Sequence, residues 1–129
     1  MKAIDTNVVL RVITGDDLAQ EATARDLLRS GVFISLTVLM ETEWVLRSFY
    51  RWRRYEIADA LIALGRIEGV SLERTSAASW VVERYRAGAD FADMIHLLVV
   101  EELESFATFD AGVARTAGAD APLPIETLP

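Results

Sequence analysis

The chain has 129 residues, and we expect residues 1–129 to form a single domain around one hydrophobic core. Hydrophobic residues make up 52% of it, and cysteine is absent, which excludes disulfides and thiolate metal sites. The net charge of −7 excludes nucleic-acid binding by bulk attraction, so any such function needs metal cations or a local basic patch. Without a secretory signal or an apolar run that spans a bilayer, the sequence predicts a cytoplasmic protein with no membrane association.

Hydrophobic periodicity, capping residues and glycines predict short strands that alternate with helices along the chain. A first strand is expected in residues 3–7, ending near Asp5, and further strands are expected at residues 32–36, 70–73, 105–110 and 123–128. Helices are expected at residues 18–30, 38–50, 54–69, 76–88, 90–103 and 111–118. This alternation is typical of an α/β fold in which helices flank a central, mostly parallel β-sheet.

Four acidic residues fall where such a sheet gathers its functional groups, outside the carboxyl ends of the strands. Asp5 and Asp110 each end a predicted strand. Glu41 lies near the start of the helix that follows the second strand. Asp93 lies near the start of the helix that leads into the strand at 105–110. The topology therefore predicts that these four side chains meet at one edge of the sheet.

Carboxylates gathered in one pocket repel each other, by about 4 kcal/mol for two unit charges 4 Å apart at an effective dielectric constant near 20. Protons or cations must neutralise that charge, and hard divalent ions with oxygen ligands are the natural partners. A bound Mg²⁺ or Mn²⁺ could activate a water for phosphodiester cleavage. We therefore interpret Asp5 as a metal ligand held by a buried strand.

Simpler interpretations exist for each acid on its own. Asp5 could cap a turn, and Asp110 could be a plain turn residue. Asp90 and Asp93 are spaced as a helix N-cap followed by an acidic third position, which stabilises a helix start. The metal hypothesis depends on the coincidence of these acids rather than on any one of them.

Two further titratable residues, Glu43 and His96, lie close in sequence to the candidate acids. Glu41 could be a solvated helix residue, and Glu43 lies about 200° around the helix from it, so both cannot face one pocket. His96, the only histidine, follows Asp93 by three positions. It could act as a general acid, but we favour a partly buried structural imidazole because metal chemistry does not need it.

Four segments, "IDTNVVLR", "LTVLMETEWVLRS", "GADFADMIHL" and "ATFD", occur in the order found in PIN domains. More narrowly, the chain resembles the VapC-type toxins of type II toxin–antitoxin systems over nearly its whole length. The resemblance implies a Mg²⁺- or Mn²⁺-dependent endoribonuclease that cleaves RNA. It also implies inhibition by a cognate VapB-type antitoxin and assembly as a homodimer.

The resemblance also implies roles for individual residues. The four matching catalytic acids are Asp5, Glu41, Asp93 and Asp110. Asp5 and Asp93 are the expected direct metal ligands. The expected supporting residues are Glu41, Asp110 and Asp90 around the metal, with Asn7 and Thr108 as polar supports.

The chain departs from the family pattern after two of these acids, with "HLLVV" following Met94-Ile95 and Ala111-Gly112 following Asp110. These departures keep open an alternative, a catalytically weak PIN-fold module that binds RNA or protein. A phosphoacceptor signalling domain is less favoured, because it would need paired acids after the first strand and a lysine near the site.

The segment 47–56, "RSFYRWRRYE", is the one basic and aromatic cluster. Its arginines are candidates for contact with RNA or a partner protein: Arg47, Arg51, Arg53 and Arg54. Arginine and aromatic side chains can stack on unpaired bases, but they are also enriched in protein interfaces. We favour a dimer mate or the apolar segment of an antitoxin as the partner.

Overall fold

The computed structural model describes residues 1–129, with seven helices and five short strands. In chain order these elements are β1 (Lys2–Ala3), α1 (Thr6–Thr14), α2 (Leu18–Arg29), β2 (Val32–Ile34), α3 (Leu36–Ser48), α4 (Arg54–Gly65), β3 (Val70–Leu72), α5 (Thr75–Arg86), α6 (Phe91–Val99), β4 (Phe106–Thr108), α7 (Ala111–Ala117) and β5 (Ile125–Thr127). Two compact units divide the chain, Met1–Ala78 and Ser79–Pro129, and each is described by itself.

The first unit contains a three-stranded parallel sheet in the order β1-β2-β3. In its register Lys2 pairs with Val32, and Val32 pairs in turn with Val70. The central strand β2 is the most buried, since Val32 and Ile34 are fully inaccessible to solvent. The helices contribute buried side chains to the core of this unit, including Val9, Leu28, Leu39, Leu46, Ile57 and Leu61.

A glycine permits close approach of two segments in the first unit. Gly69 precedes β3 with φ of +92°, and a Cβ built on it would lie 2.2 Å from the carbonyl oxygen of Leu28. Its own carbonyl accepts a hydrogen bond from the amide of Val32 at 2.7 Å. Both the positive φ and the lack of space therefore require glycine here.

The second unit contains the parallel pair β4-β5, in which Phe106 pairs with Ile125. The rings of Tyr85 and Phe91 pack edge to face with centroids 5.4 Å apart, and both are buried. Leu97, on the buried side of α6, is fully inaccessible to solvent. This core fixes the start of α6, which carries one of the predicted acids.

The predicted α/β fold class is confirmed, and all strand pairs are parallel. The prediction of a strand over residues 3–7 is wrong beyond its first residue. The strand ends at Ala3, and the unpredicted helix α1 begins at Thr6 and stops at Gly15, whose φ is +63°. Burial of Val9, Leu10 and Val12 stabilises this helix despite its β-branched residues. None of the seven helices is long and apolar enough to cross a membrane.

Candidate active site

Asp5 stands between the first strand and the first helix. The preceding residue, Ile4, is buried, and its amide donates to the carbonyl of Phe33 at 3.1 Å. Oδ1 of Asp5 accepts a hydrogen bond from the amide of Val8 at 3.1 Å, so the carboxylate caps α1. The capping role considered for Asp5 is therefore confirmed. The capping hydrogen bond uses one oxygen of the exposed Asp5 carboxylate and leaves the second oxygen free to bind a ligand.

Glu41 is linked to the residue that follows Asp5. The hydroxyl of Thr6 is buried and donates a short hydrogen bond to Oε1 of Glu41. Since Thr6 begins α1 and Glu41 lies in the second turn of α3, this bond brings the starts of two helices together. The structure thus places Glu41 beside the Asp5 end of α1.

Glu43 points elsewhere, as predicted from the helical spacing. Its side chain is 5% exposed and forms an ion pair with Arg47, with Nε and Oε2 2.7 Å apart. Arg47, one of the candidate RNA or partner contacts, is thereby engaged within its own helix α3. Only Glu41 of these two acids is available for chemistry at the solvent-exposed surface.

The second unit contains Asp90, Asp93 and Asp110 at the starts of two helices. Oδ1 of Asp90 caps α6 by accepting from the amide of Asp93 at 2.9 Å. Oδ1 of Asp110 caps α7 by accepting from the amide of Gly112 at 2.8 Å. The simpler capping and turn interpretations of Asp90 and Asp110 are therefore confirmed as structural roles, and each carboxylate retains a second oxygen.

Thr108 is hydrogen-bonded to the backbone of Asp110. Its Oγ1 accepts a hydrogen bond from the amide of Asp110 at 3.0 Å. Thr108 is the last residue of β4, so this bond fixes the turn between the strand and α7. The carboxylate of Asp110 thereby has a defined position at the carboxyl end of β4.

Among these three acids, Asp93 has a shifted pKa. Partial burial raises the pKa of the Asp93 carboxyl above its usual value, and the nearby charges of Asp90 and Asp110 raise it further, while His96 opposes the shift. No arginine or lysine forms an ion pair with any of these carboxylates. His96 is exposed, so its interpretation as a partly buried structural imidazole is wrong. The excess of negative charge at this point suits a bound cation.

The remaining candidate residues lie at exposed positions. Asn7 is exposed on the first turn of α1. Arg51 and Arg53 are exposed in the connection into α4, and Arg54 is exposed at the first position of that helix. Arg51 adopts a left-handed backbone with φ of +61°. Beside them Phe49 is 76% exposed. The predicted basic and aromatic cluster is therefore accessible to a ligand.

The side chains that could hold a divalent metal are carboxylates. The structure contains no group of three or more His, Asp or Glu side chains arranged to hold a metal ion. The donors near Asp5 and near Asp93 are carboxylate oxygens, with the hydroxyl of Thr6 beside the first group. Oxygen donors of this kind fit Mg²⁺ or Mn²⁺ and do not suit softer ions. The chemistry of the donors therefore fits the implied metal.

A cavity of about 440 Å³ between α1 and α2 was not predicted. It begins at Asp5 and Asn7 and extends along both helices to Leu27. Sequence reasoning missed it because the chain after Asp5 was not recognised as a helix. The sequence signal that could have revealed α1 is the apolar spacing of Val9, Leu10 and Val12 ahead of Gly15.

Comparison with known protein families identifies the family of this chain. A sequence model of the PIN domain matches residues 2–119, which is nearly the whole chain. No curated protein matches the chain. PIN domains are generally metal-dependent nucleases that act on RNA or other nucleic acid, which supports a hydrolase. This chain, with its acids at the carboxyl ends of parallel strands, belongs to the PIN domain family.

Proposed function

We propose that this protein is the toxic component of a type II toxin–antitoxin system, a VapC-type endoribonuclease that depends on Mg²⁺ or Mn²⁺. Membership of the PIN family supports nuclease activity in general. The observation that carries the proposal is that Asp90, Asp93 and Asp110 lie at the starts of α6 and α7, near enough for Asp90 and Asp110 to raise the pKa of the Asp93 carboxyl, without an arginine or lysine partner. A cluster of like charges costs folding free energy, which a bound cation offsets.

We assign catalysis to four acids: Asp5, Glu41, Asp93 and Asp110. Asp5 and Asp93 are the proposed metal ligands, and Glu41, Asp110 and Asp90 support them. When bound, the ion would lower the pKa of a water and stabilise the negative charge that develops on the cleaved phosphate. Asn7 and Thr108 act as polar supports, Thr108 by holding the backbone of Asp110.

The chain's own residues prepare this chemistry by fixing carboxylates before any ligand arrives. Asp5 and Asp110 are each held by a backbone amide of the helix that they cap. Glu41 is held by the hydroxyl of Thr6. In each case a hydrogen bond to one oxygen orients the side chain and leaves the other oxygen for a ligand. Such preorganisation limits the entropy lost when metal and RNA bind.

The exposed cluster at 47–56 fits a protein partner. Phe49 is 76% exposed, and the neighbouring Trp44 and Tyr55 are 58% and 55% exposed. Large aromatic side chains beside arginines are enriched in protein interfaces. We assign this surface to a second copy of the chain or to the apolar segment of a cognate VapB-type antitoxin. Exposed Arg51, Arg53 and Arg54 are the candidates for contact with the partner or with RNA.

The test is cleavage of a structured RNA by the purified protein in Mg²⁺, in Mn²⁺ and in EDTA. We expect cleavage in either metal, none in EDTA, and a loss of at least about a hundredfold in Asp5→Asn and in Asp93→Asn. Asp120→Asn, which changes an exposed aspartate of the second unit, is the matched control and should cleave normally. Full activity of Asp5→Asn or Asp93→Asn, in a folded protein, would refute the assignment.

The toxin role needs a second test in cells. Induced expression should arrest growth, and the Asp93→Asn variant should not. An adjacent reading frame should encode a small DNA-binding protein whose co-expression relieves the arrest. Growth that is unaffected by an active, expressed nuclease would contradict the toxin role while leaving the nuclease assignment intact.

A catalytically weak binding module is the second candidate. It is favoured by the lack of a preformed group of three acidic side chains and by Ala111-Gly112 after Asp110. The same RNA assay separates the two candidates. Binding of RNA without cleavage in either metal would support the module and contradict the enzyme.

A further inference from the structure

The cavity between α1 and α2 lies beside a proposed catalytic residue and has the size of a ligand site. Its volume is about 440 Å³, within the range of roughly 300–1,000 Å³ typical of small-molecule pockets. Residues of both helices line it: Asp5, Asn7, Val8, Arg11, Ala19, Gln20, Thr23, Ala24 and Leu27. Any group bound there is held next to Asp5.

The walls of this cavity are mainly apolar. Val8 and Leu27 are half-buried, Ala24 is buried at 5% exposure, and all three line the cavity with hydrocarbon surface. The side chains at positions 19 and 24 are alanines, which leave space for a flat group between the helices. Apolar walls of this kind bind the faces of planar rings.

Polar groups stand at the rim. Oε1 of Gln20 accepts a hydrogen bond from Nε of Arg11 at 2.6 Å, which leaves the amide nitrogen of Gln20 free to donate. Nη1 of Arg11 is paired with Asp16 at 3.0 Å. Asn7 adds an exposed amide with both a donor and an acceptor. The rim can therefore read the hydrogen-bonding edge of a bound ring.

The charge of the cavity selects a neutral ligand. Arg11 is its only cation, and the carboxylate of Asp16 neutralises it, while Asp5 adds a negative charge. A phosphate group would meet net repulsion here. A nucleobase is planar, uncharged and rich in hydrogen-bond donors and acceptors at its edge. Its face fits the apolar walls, its edge fits the polar rim, and its neutrality fits the charge of the cavity.

We propose that this cavity binds one unpaired nucleobase of the RNA and so determines which nucleotide lies next to the bond that is cleaved. The inference rests on the proposed nuclease function, because it takes Asp5 as part of the reaction site. RNA is commonly recognised through unpaired bases inserted into pockets and read at their edges.

The variant that tests the proposal is Ala19→Leu. Ala19 lines the cavity and is exposed, so a leucine there fills space between the helices without disturbing the core. Ala22→Leu is the matched control, since Ala22 lies on the same helix, is also exposed and does not line the cavity. Leucine is a good helix former at both positions.

The first measurement is binding, made in EDTA on proteins that also carry Asp93→Asn so that no RNA is cut. The probes are four homopolymeric pentaribonucleotides and a pentamer of the same backbone without bases. We expect at least one pentaribonucleotide to bind at least about tenfold tighter than the abasic pentamer. Ala19→Leu should abolish that difference, and Ala22→Leu should retain it. Equal binding by the Ala19→Leu and Ala22→Leu proteins would overturn the proposal.

The second measurement is the sequence around each cut, mapped with metal on a random-sequence RNA using proteins that keep Asp93. The parent and Ala22→Leu proteins should share a preference at one position beside the cut, and Ala19→Leu should lose it. Cleavage with the same preference in all three proteins would overturn the pocket and leave the nuclease function standing. Loss of base-dependent binding by Ala19→Leu, when no protein cleaves RNA, would support the pocket and contradict the nuclease. Binding defects of Ala19→Leu that affect only a protein partner would overturn the nucleobase assignment.

Discussion

The hydroxyl of Thr6 donates a hydrogen bond to Oε1 of Glu41, across 35 positions of sequence. Thr6 is the first residue of α1 and is only 6% exposed, whereas Glu41 is exposed. The bond orients a solvent-facing carboxylate from a buried anchor. Thr6 is therefore a positioning residue for one of the proposed catalytic acids.

Replacing Thr6 by valine tests this role, because valine keeps the shape and removes the donor. Thr6→Val should lower kcat for RNA cleavage by about tenfold with little change in KM, since Glu41 loses its fixed orientation. Thr6→Ser restores the donor and should recover most of the rate. Undiminished kcat in Thr6→Val, or equal losses in the valine and serine variants, would contradict a positioning role.

Substitution of Glu41 should affect mainly RNA cleavage, and substitution of Glu43 should affect mainly stability. Glu43 is buried and paired with Arg47, so Glu43→Gln should lower the free energy of unfolding by about 1–3 kcal/mol. Glu41→Gln should change it by less than about 0.5 kcal/mol but reduce RNA cleavage at least about tenfold. Urea denaturation and cleavage rates measured on both variants check the contrast. The reverse pattern would mean that the two acids have been assigned wrongly.

Asp93 should make the metal-free protein less stable as pH rises. The pKa of its carboxyl is raised by partial burial and by Asp90 and Asp110, so the folded state holds this proton more tightly than the unfolded state. The stabilisation it gives at acid pH is therefore lost as pH rises from the ordinary pKa of 3.8 through the raised value. Asp93→Asn cannot ionise and should gain stability relative to the parent between pH 3 and pH 7, by less than about 1 kcal/mol because solvent screens the charge.

Urea denaturation in EDTA at several pH values measures that gain. The matched control is Asp120→Asn, which should show no comparable pH-dependent gain. Added salt should reduce the gain, because part of it comes from repulsion between carboxylates. A gain that grows as pH falls would contradict the assigned direction of the pKa.

The pKa of Asp16, which is hydrogen-bonded to Tyr50, is shifted in the opposite direction to that of Asp93. The hydroxyl of Tyr50 donates to Oδ2 of Asp16 at 2.6 Å, and this bond is the main cause that lowers the pKa of Asp16, with Thr14 and Arg11 adding to it. Ionised Asp16 therefore favours the folded state above the ordinary pKa of 3.8, and that contribution is lost as pH falls through the lowered value.

Tyr50→Phe should move the Asp16 pKa upward, toward its ordinary value, as followed by NMR of the carboxyl carbon. Tyr55→Phe, which removes the hydroxyl of an exposed tyrosine, is the control and should leave the Asp16 titration unchanged. An unchanged pKa in Tyr50→Phe would show that Thr14 and Arg11 suffice to hold the carboxylate ionised.

Much of this fold follows from local sequence. The spacing of Asp90 and Asp93 predicts the cap of α6, because a short polar side chain satisfies free amides at a helix start. The apolar runs before Asp5 and Asp110 predict that each follows a strand, and in the structure each lies two residues after the end of β1 or β4. These features depend on a few neighbouring residues, so a single sequence contains the information needed.

Other features depend on contacts between distant residues. Helix α1 has Val8, Val9, Val12 and Ile13 among its nine residues, and β-branched residues favour strands locally. Burial in the tertiary structure nevertheless stabilises a helix here. Because this helix was not predicted, neither the Thr6–Glu41 hydrogen bond nor the cavity beside α2 could be predicted. His96 was wrongly assigned to a partly buried position because its place on α6 relative to the core could not be fixed to one helical face.

The close approach at Gly69 has a consequence for large-scale mutagenesis. No side chain fits against the carbonyl of Leu28, so every substitution at this position should deplete the folded protein. If the protein is toxic, cells would survive a Gly69 variant as readily as an Asp93 variant, for unrelated reasons. A survival screen would therefore give Gly69, which has only a structural role, the same rank as the proposed catalytic acids. Only the amount of protein in each clone would distinguish loss of folding from loss of activity.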